Sequence, residues 1–472
     1  MVYILLTALF LILATFSFPK LLENNSILGL YNSKRSLNLP PVVKAWPLVG
    51  AIYMLVKDPV NLIKKNYQKY GSVFTIKVLG RNVTMLIGPE VSRHFYTAPD
   101  SELSQEELFK FTVPMFGPSV AYGVSTEKLT TTIPVPNERV ETTDAADYFS
   151  KWQDCGTIDL MHELQHLITL TTTRCLLGND VRGNLSEDVS SLIRDLAGGV
   201  LPISFLFPYL PIPAHNRRDR ARGKLNHIFS NIINSRKSSL QSEEDLLQTL
   251  MESTYIDGES NTNEQVTGIS MAILFAGQHN TGNAAVWTGA YLLQNKSYFS
   301  KVLEEQKELL HRHGSKIDFD ILGEMDVLYR CIKEAIRIGS PPIITPRYCQ
   351  KTFTVTTKEG KEYTIPKGHV VATSPAMANR LDYVLKDPDR YDPDRYLSVE
   401  EEEIASRPYS YISFGGGRHP CPGEAFTYIK LKTVWSYLIR NFELDLVSSF
   451  PEGNWNGKEK ILVCYKRRHL SI

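Results

Sequence analysis

The stretch "FGGGRHPCPG", residues 414–423, places four glycines and two prolines around a single cysteine, Cys421. Glycines allow a backbone to approach a bound group closely, because they carry no Cβ atom and adopt left-handed conformations. A phosphate-binding loop is disfavoured, since no Lys-Ser or Lys-Thr pair closes the motif and no dinucleotide-binding unit surrounds it. The residue types leave four roles for Cys421: a buried core residue, a nucleophile, half of a disulfide, or a metal ligand.

The composition limits the classes of protein to consider. The chain has 472 residues, of which 43% are hydrophobic and 22% charged, and its formal net charge is +1. This length suits one large domain or two to three smaller ones, and the charge balance gives no indication of nucleic-acid binding. The six cysteines include no C-x-x-C pair, which indicates reduced thiols in a protein that faces the cytosol.

The N-terminal segment differs in character from the rest of the chain. Residues 2–19, "VYILLTALFLILATFSFP", contain no charged side chain, and basic residues follow this run but do not precede it. A membrane span needs roughly 17–25 residues, and basic flanks stay on the cytosolic side. The pattern therefore favours an uncleaved single-pass anchor over a cleaved signal peptide. We expect an anchor over residues 1–20, a linker with a proline-rich hinge over 21–50 and a catalytic domain over 51–472.

The hydrophobic pattern predicts a mainly α protein with small β-sheets. Residues 72–88 alternate around Gly80 and indicate a hairpin, and residues 353–374 alternate again and indicate a small β-unit. Residues 266–294 form a long apolar stretch interrupted by polar side chains, which predicts a long helix inside the protein. A helix over 424–440 and a final hairpin follow the cysteine loop.

A zinc hydrolase is an alternative from another enzyme class. "HELQH", residues 162–166, matches the H-E-x-x-H pattern of zinc proteases, in which two imidazoles lie one helical turn apart. On this reading His162 and His166 would bind zinc and Glu163 would be the base. Short motifs recur by chance, and an exposed polar helix face is the simpler explanation.

Several other stretches favour iron coordination by Cys421. A haem-iron thiolate needs a loop whose backbone NH groups approach the sulfur, and the helix expected from Glu424 would add its positive end. Glu334 and Arg337 have the i,i+3 spacing of a helical ion pair, which Arg395 in a proline-bounded loop could extend. "AGQHNT", residues 276–281, places two small residues before polar ones in the long helix, which would make room for a flat ligand.

Taken in order along the chain, these motifs resemble the cytochrome P-450 superfamily of haem-thiolate monooxygenases. The resemblance implies the P-450 fold, in which haem lies between a long central helix and the cysteine loop. "FGGGRHPC" and "AGQH" are similar to the corresponding motifs of the sterol 14α-demethylases. The segment 108–123 and the stretch "LFPYLPIPAHNRRDRAR" resemble the plant, obtusifoliol-using branch of that family.

The resemblance implies roles for individual residues. Cys421 would be the axial thiolate of haem b, and Arg347 and His419 would face the haem propionates. Other residues implied at the cofactor are Phe414, Gly415, Gly423, Ala276 and Gly277. The implied oxygen site contains His279, Asn280 and Thr281, with His279 relaying protons. The implied structural charge network is Glu334, Arg337 and Arg395. The implied substrate contacts are Phe109, Phe111, Phe116, Tyr122, Ala272, Phe275, Ile343 and Ile344.

The resemblance also implies a reaction and its partners. The reaction is three successive oxygenations of one sterol methyl group, which use O2 and end in cleavage of a carbon–carbon bond. Electrons would come from a membrane-bound NADPH-cytochrome P-450 reductase, for which Arg418, Lys430 and Lys432 are expected contacts. The expected location is the endoplasmic reticulum membrane, with the catalytic domain in the cytosol and no nucleic-acid partner.

The chain departs from the pattern of that family on the substrate side of the expected haem. Asn280 stands where the family usually has threonine, and Phe109 where it usually has tyrosine. Pro134 and Pro136 lie in the shortened region 126–145, where the family has a helix, and the C-terminal hairpin is also short. These departures keep two alternatives open: a diverged monooxygenase of another plant triterpene, and a catalytically impaired haem protein.

Overall fold

The structure, a computed structural model, describes most of the chain after residue 37. The described residues are 38–44, 57–78, 80–118, 120, 145–178, 184–205, 207–239, 243, 245–253, 258, 260–339, 342–398, 407–450 and 460–468. The expected anchor, Tyr122, Pro134 and Pro136 lie outside these ranges, as does the tip of the C-terminal hairpin. Within them, no helix has both the length and the apolar character that crossing a membrane requires.

Helices account for most of the described chain, in agreement with the predicted class. The helices are α1 Pro59–Tyr70, α2 Pro89–Thr97, α3 Glu106–Phe109, α4 Val113–Phe116, α5 Leu160–Leu177, α6 Asn184–Ala197, α7 Pro213–Ser239, α8 Leu246–Glu252, α9 Asn263–Gln294, α10 Lys296–His313, α11 Phe319–Glu324, α12 Asp326–Ile338, α13 Pro375–Ala378 and α14 Glu424–Asn441.

The strands form small sheets at the periphery of the helical body. They are β1 Val73–Val78, β2 Arg81–Leu86, β3 Leu103–Ser104, β4 Cys155–Asp159, β5 Thr345–Cys349, β6 Phe353–Thr356, β7 Glu362–Ile365, β8 Val370–Thr373, β9 Gly415–Gly416, β10 His419–Pro420, β11 Phe442–Leu446 and β12 Leu462–Arg467. The largest sheet has the order β1-β2-β8-β5-β3, and a three-stranded sheet has the order β11-β12-β4. Two-stranded hairpins β6-β7 and β9-β10 complete the set among the described residues.

The hairpin predicted over residues 72–88 is confirmed. Strands β1 and β2 pair antiparallel, with Val73 opposite Leu86 and Val78 opposite Arg81. Gly80 in the turn has a φ of 76°, a left-handed conformation that glycine adopts without steric cost. The β-unit predicted over 353–374 is confirmed in part as a hairpin, since β6 pairs with β7 while β8 joins the large sheet.

The long helix predicted over 266–294 is confirmed as α9, which begins three residues earlier. The side chain of Thr262 accepts from the backbone NH of Gln265, whose own side chain accepts from the NH of Thr262. This capping box satisfies two NH groups that would otherwise have no helical partner, and it fixes the start of the helix. The first half of α9 packs in a hydrophobic cluster with α6, α7 and α8.

The second half of α9 packs in the largest hydrophobic cluster of the described chain. This cluster includes buried residues of α5, α10, α12, α14, β11 and β12. Trp435 of α14 is fully buried there and donates a hydrogen bond of 3.1 Å to the carbonyl of Ala285 in α9. Because α9 and α14 share this core, the residues that begin α14 are held against the middle of α9.

Candidate haem site

The cysteine loop is a tight hairpin that needs glycine at defined positions. Strand β9 pairs with β10, and the NH of Cys421 donates to the carbonyl of Phe414 across 2.8 Å. Gly417 has a φ of 63°, and a Cβ atom there would lie 2.1 Å from the carbonyl oxygen of Tyr96. The same carbonyl accepts from the NH of Arg418 across 2.9 Å. A side chain at residue 417 would therefore separate the loop from helix α2.

The side chain of Cys421 at the end of this hairpin is solvent-exposed. Nearby protein atoms raise the pKa of its thiol, whereas the backbone NH of Gly423 lowers that pKa and the carboxylate of Glu424 raises it further. Helix α14 begins at Glu424, so its positive N-terminal end lies next to the sulfur. The loop thus presents one accessible thiol with a hydrogen-bond donor and a helix end beside it.

A hydroxyl contact joins the start of α14 to the middle of α9. Thr427 donates to the carbonyl of Gly423 across 2.8 Å, and its oxygen lies 3.4 Å from the hydroxyl oxygen of Thr281. Thr281 is buried, with 3% of its surface exposed. Its hydroxyl therefore faces α14. Thr427 was not predicted from the sequence, because nothing marks a lone threonine in an apolar helix.

The turn of α9 before Thr281 is accessible, although most of the helix is buried. Ala276, His279 and Asn280 are exposed, and Gly277 is half-buried. The protein atoms around the His279 imidazole lower its pKa below the usual 6.5, because they disfavour the charged form. Since Thr281 contacts the start of α14, the structure brings this accessible turn close to the segment that carries Cys421.

Arg347 on strand β5 has an incompletely paired guanidinium. The side chain is 1% exposed, Nη1 donates to the carbonyl of Phe95, and the group lies 4.5 Å from the centre of the Phe95 ring. Its Nε has no hydrogen-bond partner. Burial lowers the pKa of Arg347 to about 10. A buried cationic donor with an unsatisfied NH fits an anionic group such as a propionate.

His419 on strand β10 is anchored by an acid that the sequence did not indicate. Its Nε2 lies 3.1 Å from Oδ1 of Asp100, which is 319 residues away along the chain. Burial, and secondly the charge of Arg347, lower the pKa of His419, while Asp100 opposes this shift. The charge of Arg347 therefore acts on His419. That both residues face the haem propionates stays a prediction.

The structure brings Glu334, Arg337 and Arg395 together in the core. Arg337 donates from Nε and Nη2 to the two oxygens of Glu334, each across 2.8 Å, and Nε of Arg395 donates to Glu334 across 2.9 Å. The three side chains are 0%, 1% and 4% exposed. Two further donors, the hydroxyl of Tyr396 and the NH of Asp392, also reach Glu334. Every oxygen of this buried carboxylate is thus hydrogen-bonded.

The expected substrate residues do not all lie in one place. Phe109 lies 5.8 Å from Phe111 between ring centres, and Phe116 lies 5.6 Å from Phe275. Ala272 and Phe275 pack with Phe116 in the cluster of α6 to α9. Ile343 is half-buried, and Ile344 packs instead against the cluster of α1, β1 and β2.

The expectation that Lys430 contacts a reductase at the surface is wrong. Lys430 is 1% exposed, and its Nζ donates to the hydroxyl of Thr172 in α5 across 2.9 Å. The side chain lies on the face of α14 that packs against α5, so the ammonium cannot meet a partner protein. Lys432 is half-buried and donates to the carbonyl of Leu322, whereas Arg418 is exposed.

The zinc motif does not form a complete metal site. His162 and His166 lie on α5 with their ring centres 6.2 Å apart, and Glu163 accepts a 2.7 Å hydrogen bond from Tyr148. Within the part of the chain that the structure describes, no group of three or more His, Cys, Asp or Glu side chains could hold a metal ion. The zinc-hydrolase alternative therefore lacks a ligand set among these residues.

These observations fit a haem. An accessible thiol lies beside a helix N-terminus, the exposed turn of α9 is held close to that helix, and Arg347 has an unsatisfied buried NH. Cys421 would hold the iron, and Arg347 and His419 would face the carboxylates of the group. A thiolate ligand of haem iron increases the electron density on the metal.

Comparisons with known proteins agree with this interpretation. The sequence model of the family described as cytochrome P-450 matches residues 135–467. The chain is 52% identical to the sterol 14-demethylase of Arabidopsis thaliana, over 93% of this chain and 94% of that protein. It is 50% identical to the obtusifoliol 14-alpha demethylase of Sorghum bicolor, over 99% of this chain and 97% of that protein.

More distant relatives and a solved structure complete the comparison. The lanosterol 14-alpha demethylase of Bos taurus is 35% identical over 91% of this chain and 88% of its own length. The retinoic acid-bound cyanobacterial CYP120A1 superposes with a TM-score of 0.76 at 20% identity, over 92% of this chain and 100% of that structure. That likeness shows the shared fold. The chain therefore belongs to the cytochrome P-450 family, and within it to the sterol 14α-demethylases.

Proposed function

We propose that this protein is a haem-thiolate monooxygenase that removes the 14α-methyl group of obtusifoliol-type 4-methylsterols. The observation that carries the proposal is the thiol of Cys421, presented by a glycine hairpin at the start of α14 and held near the exposed turn of α9. Identity of 50% to 52% with plant relatives named sterol or obtusifoliol 14-demethylase supports the substrate class.

When bound, haem would supply oxygen activation, in which one oxygen atom of O2 enters a carbon–hydrogen bond and the other leaves as water, with electrons from NADPH. The protein's part is to hold and surround that group. Cys421 would ligate the iron, and the glycines at 415, 417 and 423 would allow the backbone to approach the group. Arg347 neutralises an anionic edge, because its buried guanidinium keeps one NH unsatisfied within the protein. Phe414 shields the loop on the core side through contact with Tyr428.

The exposed turn of α9, residues 276–280, takes part in proton transfer on the oxygen side of the haem. The imidazole of His279 lies on this turn, and its lowered pKa favours the neutral ring near pH 7. Asn280 adds an amide in the position next to it, and the small, exposed Ala276 leaves space over the group. The hydroxyl of Thr281, turned toward Thr427, contributes to positioning the helix.

The aromatic residues near α4 and α9 form the apolar side of the substrate site. Phe116 and Phe275 contact each other across the two helices, and Ala272 lies one turn before Phe275. Phe111 packs against Phe205 with ring centres 4.2 Å apart. A rigid, largely apolar sterol is suited to such a surface, because burial of its rings gains about 25 cal/mol per Å².

The proposed partners are a membrane-bound NADPH-cytochrome P-450 reductase and the endoplasmic reticulum membrane. The uncharged run at residues 2–19, followed by basic residues, supports a single-pass anchor with the catalytic domain in the cytosol. Arg418, exposed on the cysteine loop, remains a candidate contact for the reductase. These assignments rest on the sequence pattern and on the family.

The test begins with the spectrum of the reduced protein in carbon monoxide. We expect the red-shifted Soret band of a thiolate-ligated haem, which Cys421→Ala abolishes and Cys464→Ala, at another exposed cysteine, preserves. The haem-loaded protein with obtusifoliol, reductase and NADPH should then form the 14-demethylated product. A folded protein without the Soret band contradicts the haem assignment.

A redirected substrate is the second candidate, because Asn280 and Phe109 depart from the family pattern at the oxygen and substrate sides. On this candidate the haem band persists, obtusifoliol yields no product, and a related plant triterpene is oxidised instead. A protein that shows the band, binds sterol and oxidises neither substrate is the impaired haem protein that the sequence leaves open.

A further inference from the structure

Two amides join His279 to helix α5. Asn283 lies one turn after His279 on α9, and its Nδ2 is 3.4 Å from Nε2 of the imidazole. Gln165 of α5 donates from its Nε2 to Oδ1 of Asn283 across 3.2 Å, over a sequence separation of 118 residues. Neither amide was singled out in the sequence, since only their contact across the helix interface reveals them.

The geometry at Gly282 allows Gln165 to reach this position. A Cβ atom on Gly282 would lie 3.1 Å from Cγ of Gln165, which is tighter than ordinary van der Waals contact. Because glycine has no Cβ, the side chain of Gln165 can pass close to α9 and meet Asn283 from the side of α5. Gln165 is itself half-buried, so its position is restrained by the helix interface.

The direction of the hydrogen bonds selects one tautomer of His279. Oδ1 of Asn283 accepts from Gln165, so the NH2 group of Asn283 is the part that faces the imidazole. An amide nitrogen only donates, and a neutral imidazole has one accepting and one protonated nitrogen. Nε2 of His279 must therefore accept, and the ring proton resides on Nδ1.

We propose that Asn283, held by Gln165, is a positioning residue that fixes His279 in the Nδ1-protonated tautomer and turns that NH toward the oxygen site. This inference rests on the oxygen-site role of His279 in the proposed function, and it deepens that role. With Nε2 covered by an amide that cannot supply a proton, His279 acts as a fixed hydrogen-bond donor. Proton delivery would then pass through water that its Nδ1–H orients.

The tautomer can be read directly by nitrogen-15 NMR, without turnover. Full-length, haem-loaded protein is labelled with ¹⁵N-histidine and examined in the diamagnetic ferrous carbon monoxide state, with His279→Gln assigning the resonance. We expect the Nδ1-protonated pattern in the parent protein. Asn283→Asp should convert it to the Nε2-protonated pattern, because a carboxylate accepts a hydrogen bond from the ring.

Variants of Gln165 test whether its amide holds Asn283 in place. Gln165→Leu should leave Asn283 free to rotate and give a mixture of the two tautomers, and Gln165→Met offers the same loss if the leucine variant fails to fold. Gln248→Leu, an amide on α8 that pairs with Glu252, is the matched control and should change nothing. Each variant is first shown to retain the carbon monoxide band.

Two results overturn the inference: an Nε2-protonated His279 in the parent protein, or an unchanged tautomer when Gln165 loses its amide. Its failure is distinct from failure of the proposed function. A protein that keeps the expected tautomer but forms no demethylated sterol would contradict the substrate assignment alone. A protein that demethylates sterol with the other tautomer would contradict the positioning role alone.

Discussion

The ammonium group of Lys430 donates a 2.9 Å hydrogen bond to the hydroxyl of Thr172, joining α14 to α5 inside the protein. The methyl group of Thr172 faces α9, where a Cβ on Gly277 would lie 3.1 Å from it. The nitrogen of Lys430 also lies 4.3 Å from the centre of the Phe426 ring. One buried threonine thus links the helix that follows Cys421 to the turn that carries His279.

We predict that Thr172→Val destabilises the protein more than Lys430→Met does. Valine removes the acceptor and leaves a buried ammonium without this hydrogen bond, which costs about 1–3 kcal/mol. Replacing both residues together should recover most of the loss, because no buried donor is then left without its acceptor. Urea denaturation measures the free energy of unfolding.

The control for this pair is Thr97→Val, which removes a hydroxyl that bonds only its own helix at the exposed end of α2. It should change the free energy of unfolding by less than about 0.5 kcal/mol. Equal losses of unfolding free energy in Thr172→Val and Thr97→Val would show that the hydrogen bond from Lys430 to Thr172 does not stabilise the protein.

The close approach of Gly277 to Thr172 predicts that the effect of Gly277→Ala on the free energy of unfolding depends on residue 172. Gly277→Ala adds helix propensity of about 1 kcal/mol but forces the new methyl against Cγ2 of Thr172, which Lys430 holds in place. In a Thr172→Ser background that methyl is gone while the hydroxyl remains. We expect Gly277→Ala to stabilise the serine variant and to be neutral or destabilising in the parent protein. Additive effects in this double-mutant cycle would disprove the contact.

Removal of the charge of Glu334 should lower the free energy of unfolding more than most other single substitutions. Glu334→Gln leaves Arg337 and Arg395 buried without their carboxylate, and breaking a buried pair costs about 3–5 kcal/mol. Glu324→Gln is the matched control, because that carboxylate pairs with Arg312 near the surface, where ion pairs contribute little to stability. The readout is the urea midpoint, and the expected order fails if the two variants have equal midpoints.

Stability should fall as the pH drops below about 6.5. Burial lowers the folded-state pKa of His369, so below the usual 6.5 the unfolded chain binds more protons than the folded one. The contribution is fully present above 6.5 and is lost as the pH falls toward the folded-state pKa. For one proton, this slope, the change in the free energy of unfolding with pH, is at most about 1.4 kcal/mol per pH unit.

His369→Gln should reduce this slope while keeping polar contacts to Thr84 and Asn82, which lie 2.9 Å and 3.2 Å from the two ring nitrogens. Gln248→Leu, which replaces an amide that does not titrate, is the control and should leave the pH dependence unchanged. The measurement is the urea midpoint between pH 7.5 and pH 5.5. An unaltered slope in His369→Gln would contradict the assignment.

The sequence was informative where local patterns determine structure. The apolar run of α9, the alternation of β1 and β2, and the glycine spacing around Cys421 each act within a few residues, so their elements were predicted within about three residues of the observed bounds. The charge network of Glu334 and Arg337 was also predictable, because an i,i+3 spacing on a helix brings the two groups together.

The sequence was uninformative where contacts join distant segments. The resemblance implies that Lys430 contacts a reductase at the surface, but α14 is buried on nearly all sides, and Lys430 is enclosed next to α5. Asp100 beside His419 and Gln165 beside Asn283 depend on the packing of helices and strands far apart in the chain. No local pattern specifies which side chains will meet across such interfaces.

The dependence of the cysteine loop on helix α2 has a consequence for biosynthesis. Arg418 and His419 are tied to Tyr96 and Asp100, and the second pair is separated by 319 residues. During translation the upstream partners leave the ribosome long before the loop exists, and contacts of such high sequence separation form slowly. The cofactor site can therefore assemble only after almost the whole polypeptide has been synthesised, and a chain terminated before residue 421 would remain permanently without it.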